Sequence, residues 1–82
     1  MNNDYKYKVA VCPFCKQGWV EIVKEVDTNT LYLCCNECEI EWDLPNDVLN
    51  TIKGTRFKYG KVTEPTFEEI CTKGWKDYIL SE

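Results

Sequence analysis

Histidine is absent from this chain of 82 residues. It is the commonest general acid or base in enzymes and the usual partner of serine and cysteine nucleophiles. The carboxylates form no pair in the sequence that stands out from a solvated surface. With these parts of an active site missing, we expect a protein that is not an enzyme.

Long apolar stretches are also missing. No run approaches the roughly 18 apolar residues that indicate a membrane-spanning helix, so we expect no membrane association. Residues 1–6 contain no apolar segment of the kind that directs secretion. We therefore expect a cytoplasmic protein, in which lasting disulfides are rare.

The composition favours a folded domain, with 44% hydrophobic and 13% aromatic residues. The length predicts a single domain over residues 1–82. A chain this short buries only about 60% of the surface that it exposes when unfolded, so its core alone is marginal. A bound metal ion would supply part of the missing stability.

Four of the six cysteines form two short pairs, CPFC at 12–15 and CNEC at 35–38. A two-residue spacer lets both sulfurs of a pair reach one metal ion, and two pairs complete a tetrahedral site. We predict a structural Zn²⁺ site with no coordination position left for a catalytic water. The predicted ligands are Cys12, Cys15, Cys35 and Cys38.

Other readings of the cysteines stay open. Iron fits the same four thiolates, because tetrahedral sulfur coordination suits both metals. Cys34 would reach Cys38 through a three-residue spacer, although the two-residue spacer is commoner. Six cysteines also fit a disulfide scaffold if the chain is exported. We expect Cys34 and Cys71 to be small buried apolar side chains.

Alternating polar and apolar residues predict strands at 5–11, 19–26, 31–33 and 40–44. Helical spacing predicts a short helix over 45–53 that Gly54 ends. A further strand is expected over 55–62, with Phe57 and Tyr59 facing the core. Thr66 and Glu69 form a capping box that starts a helix over 67–80, which Gly74 interrupts.

The order strand, cysteine turn, hairpin, cysteine turn, strand over residues 5–44 resembles the zinc-ribbon family. The resemblance implies a small antiparallel sheet with the four cysteines as ligands. Lys16 and Glu39 stand where ribbon cysteine turns, or knuckles, often have glycine. We expect an α+β fold in which residues 45–82 add a helix, a strand and a C-terminal helix packed on the sheet. The family hosts many activities, so it does not fix a function.

The CPFC pair also resembles the active site of glutaredoxins, which would imply a thiol redox protein using Cys12 and Cys15. In that family a helix starts at the first cysteine of the pair. Residues 19–23 here favour a strand instead. The redox hypothesis is therefore the most distant of the alternatives.

The charges are segregated, with a formal net charge of −4. A zinc ion on four thiolates would add about −2. Residues 31–50 contain no base, and their acids are Glu37, Glu39, Glu41, Asp43 and Asp47. Residues 51–61 contain no acid, and their bases are Lys53, Arg56, Lys58 and Lys61.

Each charged run fits an ordinary solvated face. Strand alternation, however, places Glu39, Glu41 and Asp43 on one face, and we predict that the acids bind a basic protein. Small size and acidic charge are similar to those of bacterial immunity and antitoxin proteins, which implies inhibition of a cationic nuclease toxin. The rival is a nucleic-acid-binding or transcription-associated zinc ribbon using Lys53, Arg56, Lys58 and Lys61, whose run interleaves bases with aromatics as single-strand grooves do, although alternation turns Phe57 and Tyr59 to the core. The net negative charge disfavours it.

Overall fold

In the computed structural model, residues 6–80 are described. Within them the strands are β1 Lys8–Val11, β2 Trp19–Glu25, β3 Leu31–Cys35, β4 Glu41–Trp42 and β5 Val62–Thr63. The helices are α1 Pro45–Leu49 and α2 Phe67–Lys73, followed by a 3₁₀ turn at Lys76–Tyr78. The α+β expectation is confirmed. The predicted first strand begins at residue 5, which lies outside the described residues.

The strands form one antiparallel sheet in the order β1-β2-β3-β4. β5 pairs with the second half of β2, at Lys24 and Glu25, while β1 pairs with its first half. Because β3 occupies the other side of β2, β1 and β5 share one edge. The C-terminal half of the chain thus adds one short strand to the sheet that residues 8–42 form.

The hydrophobic core lies on one face of the sheet, which we call the inner face. Val20 and Ile22 of β2 lie opposite Cys35 and Leu33 of β3, and all four are buried. Side chains alternate along a strand, so these residues share a face. α1 and α2 cover it with Val48 and Ile70, and Trp75, just after α2, packs there too; the C-terminal helix packs on the sheet as expected.

α2 begins as predicted and ends early. Thr66 and Glu69 form the capping box, with each side chain accepting the other residue's backbone N–H. Gly74 ends the helix in the left-handed conformation, at φ 86°, which a residue without a Cβ adopts at little cost. The predicted interruption at Gly74 is confirmed, and the helix predicted to run on to residue 80 stops at Lys73, with the 3₁₀ turn Lys76–Tyr78 beyond it. Cys71 was expected to be buried, but it is exposed. Ile70 is the buried residue of α2, so the side of the helix that carries Cys71 faces solvent.

The predicted strand over 55–62 is also wrong. Only a bridge at Thr55 and the short β5 pair with the sheet. Glu41 and Glu25 accept the backbone N–H groups of Lys58 and Gly60, at 3.0 and 2.6 Å. In a regular strand, these N–H groups would bind backbone carbonyls of the neighbouring strand. Here they bind side-chain carboxylates, which hold the segment in place.

Strand alternation consequently fails for the aromatic residues of this segment. Phe57 has a φ of 63° and is 89% exposed, against the expectation that it faces the core. Tyr59 instead stacks on Tyr32, with ring centroids 3.8 Å apart. Segment 55–61 therefore lies over the second face of the sheet, which we call the outer face.

Two other elements are shorter than predicted. The helix expected over 45–53 ends at Leu49, and Thr51 takes a positive φ of 55° that leaves the helical region. The strand expected over 40–44 is reduced to Glu41–Trp42. Leu44, two residues beyond Trp42, is 51% exposed.

Candidate metal centre

The four predicted ligand cysteines meet at one end of the sheet. Their Sγ atoms all lie within 4.8 Å of one another. The Sγ atoms of Cys12 and Cys38 are 3.7 Å apart, and those of Cys15 and Cys35 are 3.6 Å apart. Tetrahedral coordination with metal–sulfur bonds of about 2.3 Å requires sulfurs about 3.8 Å apart. The four sulfurs therefore fit a single tetrahedral metal ion.

Two similar turns deliver these sulfurs. Cys12 follows β1 and Cys35 ends β3, and both are buried at 1% exposure. Cys15 and Cys38 follow in the turns and are half-buried. The close sulfur contacts join one turn to the other, so a metal ion would tie the β1–β2 connection to the β3–β4 connection.

Backbone N–H groups point at the sulfurs in both turns. Sγ of Cys12 accepts from residues 14 and 15, at 3.4 and 3.5 Å, and Sγ of Cys35 accepts from residues 37 and 38, at 3.3 and 3.4 Å. The N–H of Gly18 donates to Cys15. Such hydrogen bonds stabilise thiolates, the form that binds metal.

The pKa values show opposing influences on the thiols. The N–H groups of Gln17 and Gly18 lower the pKa of Cys15 to about 6. Burial raises the pKa values of Cys35 and Cys38. A buried thiolate needs a compensating positive charge, and a bound metal ion would supply it.

The knuckles form without glycine at their final position. Lys16 and Glu39 take φ values of 59° and 66°, in the left-handed region that favours glycine. This conformation costs a residue with a Cβ about 1–2 kcal/mol. Without glycine at these positions, the two turns cost more conformational free energy to form, but the four sulfurs still meet.

Asn36 joins the second knuckle to the start of β2, a role that no pattern in the sequence indicated. Its backbone N–H donates to Trp19 O at 3.0 Å, and its Oδ1 accepts the N–H of Trp19 at 2.9 Å. Its Nδ2 donates to Glu21 Oε2 at 3.3 Å. A Cβ on Gly18 would lie only 2.7 Å from Oδ1 of Asn36, so glycine permits this close approach.

The remaining cysteines lie apart from the cluster. Cys34 has its side chain on the outer face, opposite Glu21 and Glu41, and is not among the four that meet. Burial, reinforced by the charge of Glu41, raises the pKa of its thiol to about 12. Cys35, with the two-residue spacer, contributes the fourth sulfur.

The five acids predicted to bind a partner lie in different settings. Glu37 and Glu39 are exposed on the second knuckle, whereas Asp47 is half-buried in α1. Glu41 is only 7% exposed, because segment 55–61 lies over it. Asp43 is exposed and forms an ion pair with Lys58 at 2.8 Å. The structure does not place Glu39, Glu41 and Asp43 on one exposed strand face.

The basic run contacts the acidic run directly. Lys58 and the hydroxyl of Tyr59 both donate to Asp43, and together they lower the pKa of its carboxyl. Nε of Arg56 donates to the carbonyl of Cys38 at 3.1 Å. Two of the four bases are thus engaged within the molecule.

No protein-family model matches the chain, and comparisons with curated proteins and with solved structures also found no match. The likeness to zinc ribbons therefore depends on the cysteine cluster and the antiparallel sheet. Among residues 6–80, no helix has the length and apolar character needed to cross a bilayer.

Proposed function

We propose that this protein is a non-catalytic zinc-binding domain whose second knuckle binds a basic protein partner. The observation that carries the metal assignment is the meeting of four cysteine sulfurs at tetrahedral spacing. Zinc has no redox chemistry and accepts such closed sites as structural ties. Four protein ligands leave no position for a reacting water, which supports a structural role.

The charge around the centre supports a basic partner. Glu37 and Glu39 are exposed on the second knuckle, beside sulfurs that would carry about −2 with zinc bound. Lys58 pairs with Asp43 and so adds no net charge there, whereas Arg56 keeps its positive charge beside Cys38 and offsets part of the negative charge. Concentrated negative charge of this kind attracts and orients a cationic protein.

A nuclease toxin is the partner class that we propose. Such an enzyme presents a cationic surface for its nucleic-acid substrate, and a small acidic protein can cover that surface. The support is the net charge of −4 on 82 residues together with the acidic second knuckle. This protein would then act as an immunity or antitoxin protein.

Charge reversal tests the proposed surface. The double variant Glu37→Lys, Glu39→Lys should lose a basic partner that the unaltered protein captures from its native cells. The matched control Glu64→Lys, Glu68→Lys changes the same charge at two exposed acids near α2 and should retain that partner. Metal content and the amide NMR spectrum check that both variants fold. Equal capture by both variants would contradict the proposal.

A nucleic-acid binding assay on the unaltered protein distinguishes the proposed function from the rival one. Binding to labelled single-stranded RNA and DNA should be absent by fluorescence anisotropy, even at low salt. A nucleic-acid-binding ribbon would instead bind tightly at low salt and lose affinity steeply as salt rises. That result would contradict the proposed acidic surface and would assign binding to the exposed bases Lys53 and Lys61 instead.

A further inference from the structure

The outer face of the sheet has a row of ionisable side chains. Lys8, Glu21, Cys34 and Glu41 lie directly opposite one another on β1, β2, β3 and β4. A cavity of about 260 Å³ opens above Glu21, Cys34 and Glu41. Segment 55–61 forms its other wall, and the cavity adjoins the metal centre at Cys35.

The two buried carboxylates of this row are compensated differently. Glu21 is 2% exposed and forms an ion pair with Lys8 at 3.3 Å. Glu41 is 7% exposed and forms no ion pair with any side chain of residues 6–80. Its Oε1 accepts from the backbone N–H of Lys58 at 3.0 Å and from the hydroxyl of Thr55 at 3.5 Å. Both donors are neutral.

The second oxygen of Glu41 is the distinguishing feature of the cavity. Within the described part of the chain, Oε2 accepts no hydrogen bond, yet it is not shut off from the surface. Glu41 lines the cavity, and we assign the accessible surface of Oε2 to this side. A buried carboxylate without a cation is costly. A ligand that brings a positive charge to Oε2 would remove that cost.

An aromatic rim also suits a cation. Tyr32, Phe57 and Tyr59 line the cavity, but Tyr59 already has Tyr32 stacked on it at 3.8 Å and Nζ of Lys58 at 5.3 Å from its ring centroid. Phe57 is 89% exposed, so it stands at the rim. Aromatic faces attract cations that approach them. The charged residues of the lining are three glutamates, at 21, 39 and 41, and one arginine, Arg56.

The volume limits the ligand. Sites for drug-sized molecules occupy about 300–1,000 Å³, whereas this cavity holds about 260 Å³. It is suited to one long side chain. A guanidinium group is planar, pairs with carboxylates and stacks on aromatic rings, and it is more weakly hydrated than an ammonium group. We propose that this cavity receives the guanidinium of an arginine side chain presented by the partner protein. The proposal rests on the proposed function, because it assumes a basic protein partner.

Titration of the isotope-labelled, metal-loaded protein with acetyl-glycyl-arginyl-glycinamide tests the cavity itself. Amide NMR signals of Cys34, Glu41 and Tyr59 should shift and saturate. The matched peptide with citrulline keeps the shape and removes the charge, and it should bind about tenfold more weakly or worse. Equal binding of both peptides, or shifts confined to other surfaces, would overturn the proposal.

Two variants test the residues that line the cavity. Glu41→Gln keeps the acceptor at Oε1 and should weaken the arginine peptide about tenfold. Phe57→Ser alters an exposed side chain, so it tests the rim even if the first variant fails to fold. Glu68→Gln, on α2, should bind as the unaltered protein does. Unchanged binding in a folded Glu41→Gln or in Phe57→Ser would refute the assignment.

The partner experiment separates this inference from the proposed function. Capture that depends on Glu37 and Glu39, yet is unaffected by Glu41→Gln, would overturn the arginine pocket and leave the partner surface standing. Failure to capture any basic protein would count against the proposed function. In that case the peptide titration would still decide whether the cavity recognises guanidinium.

Discussion

Removing the metal ion from the four-cysteine centre should unfold the protein. Cys12 and Cys35 are core residues at 1% exposure, and they pack with Val20 and Leu33. The metal ion would join the two loops that connect β1 to β2 and β3 to β4. Without it, four thiol groups must pack together at the end of the sheet with nothing to hold them.

The expected magnitude follows from the size of the chain. At about 0.05–0.15 kcal/mol per residue, 82 residues give a total stability of about 4–12 kcal/mol. Structural zinc sites supply about 10–16 kcal/mol of apparent binding free energy at neutral pH. The binding free energy is thus as large as the whole stability, so the metal-free chain should be mostly unfolded at room temperature.

The assay follows metal content and folding together. Elemental analysis of the purified protein should find one metal ion per chain, and excess EDTA should abolish the dispersed amide NMR spectrum. Cobalt added to the metal-free protein should give the thiolate charge-transfer bands of a tetrahedral sulfur site. Cys35→Ser should lose the metal and the fold. Cys71→Ser, which alters an exposed cysteine, should keep both.

Three results would refute this reasoning. The first is a purified chain with no stoichiometric metal. The second is a metal-free chain with the dispersion and thermal midpoint of the untreated protein. The third is equal metal loss in Cys35→Ser and Cys71→Ser, which would show that the four clustered sulfurs are not the ligands.

Further predictions concern individual residues. Lys16→Gly relieves a φ of 59° and should stabilise the protein by up to about 1 kcal/mol. Its neighbour Gln17 has no positive φ, so Gln17→Gly should lower the free energy of unfolding by about 0.5–1 kcal/mol in denaturant titrations. Equal losses in the two variants would argue against strain in the knuckle. Ile70→Ala removes a side chain with 0% exposure and should cost about 2–5 kcal/mol, while Leu49→Ala, at a site 52% exposed, should cost less than about 1 kcal/mol. Cys34→Ala should retain one metal ion per chain by elemental analysis, and loss of the metal would make Cys34 a ligand.

The contact between the acidic and basic runs changes how the charge pattern is understood. As a sequence pattern, acids at 31–50 and bases at 51–61 suggest two separate charged surfaces. In the structure, the side chain of Lys58 pairs with Asp43, and the backbone N–H of Lys58 donates to Glu41. Part of the segregated charge therefore serves to hold segment 55–61 on the sheet. The exposed second knuckle and the cavity retain negative charge, which is where the proposed partner would bind.

The sequence by itself determined the features that depend on neighbouring residues. The two-residue spacing placed Cys12 with Cys15 and Cys35 with Cys38, and alternation located the first three strands close to their observed bounds. The capping box at Thr66 was predictable for the same reason, since its two hydrogen bonds span three residues. Such patterns are local, and the rest of the fold does little to override them.

Only the tertiary structure decided the course of segment 55–61 and the burial of Glu41. The hydrogen bonds that hold this segment join Lys58 to Glu41 and Gly60 to Glu25, across 17 and 35 residues. A propensity for strand at 55–62 was outweighed by these carboxylates, because buried or partly buried acceptors must find donors wherever the fold brings them. The cavity on the outer face exists for the same reason, since its two walls come from distant parts of the chain that meet only after folding.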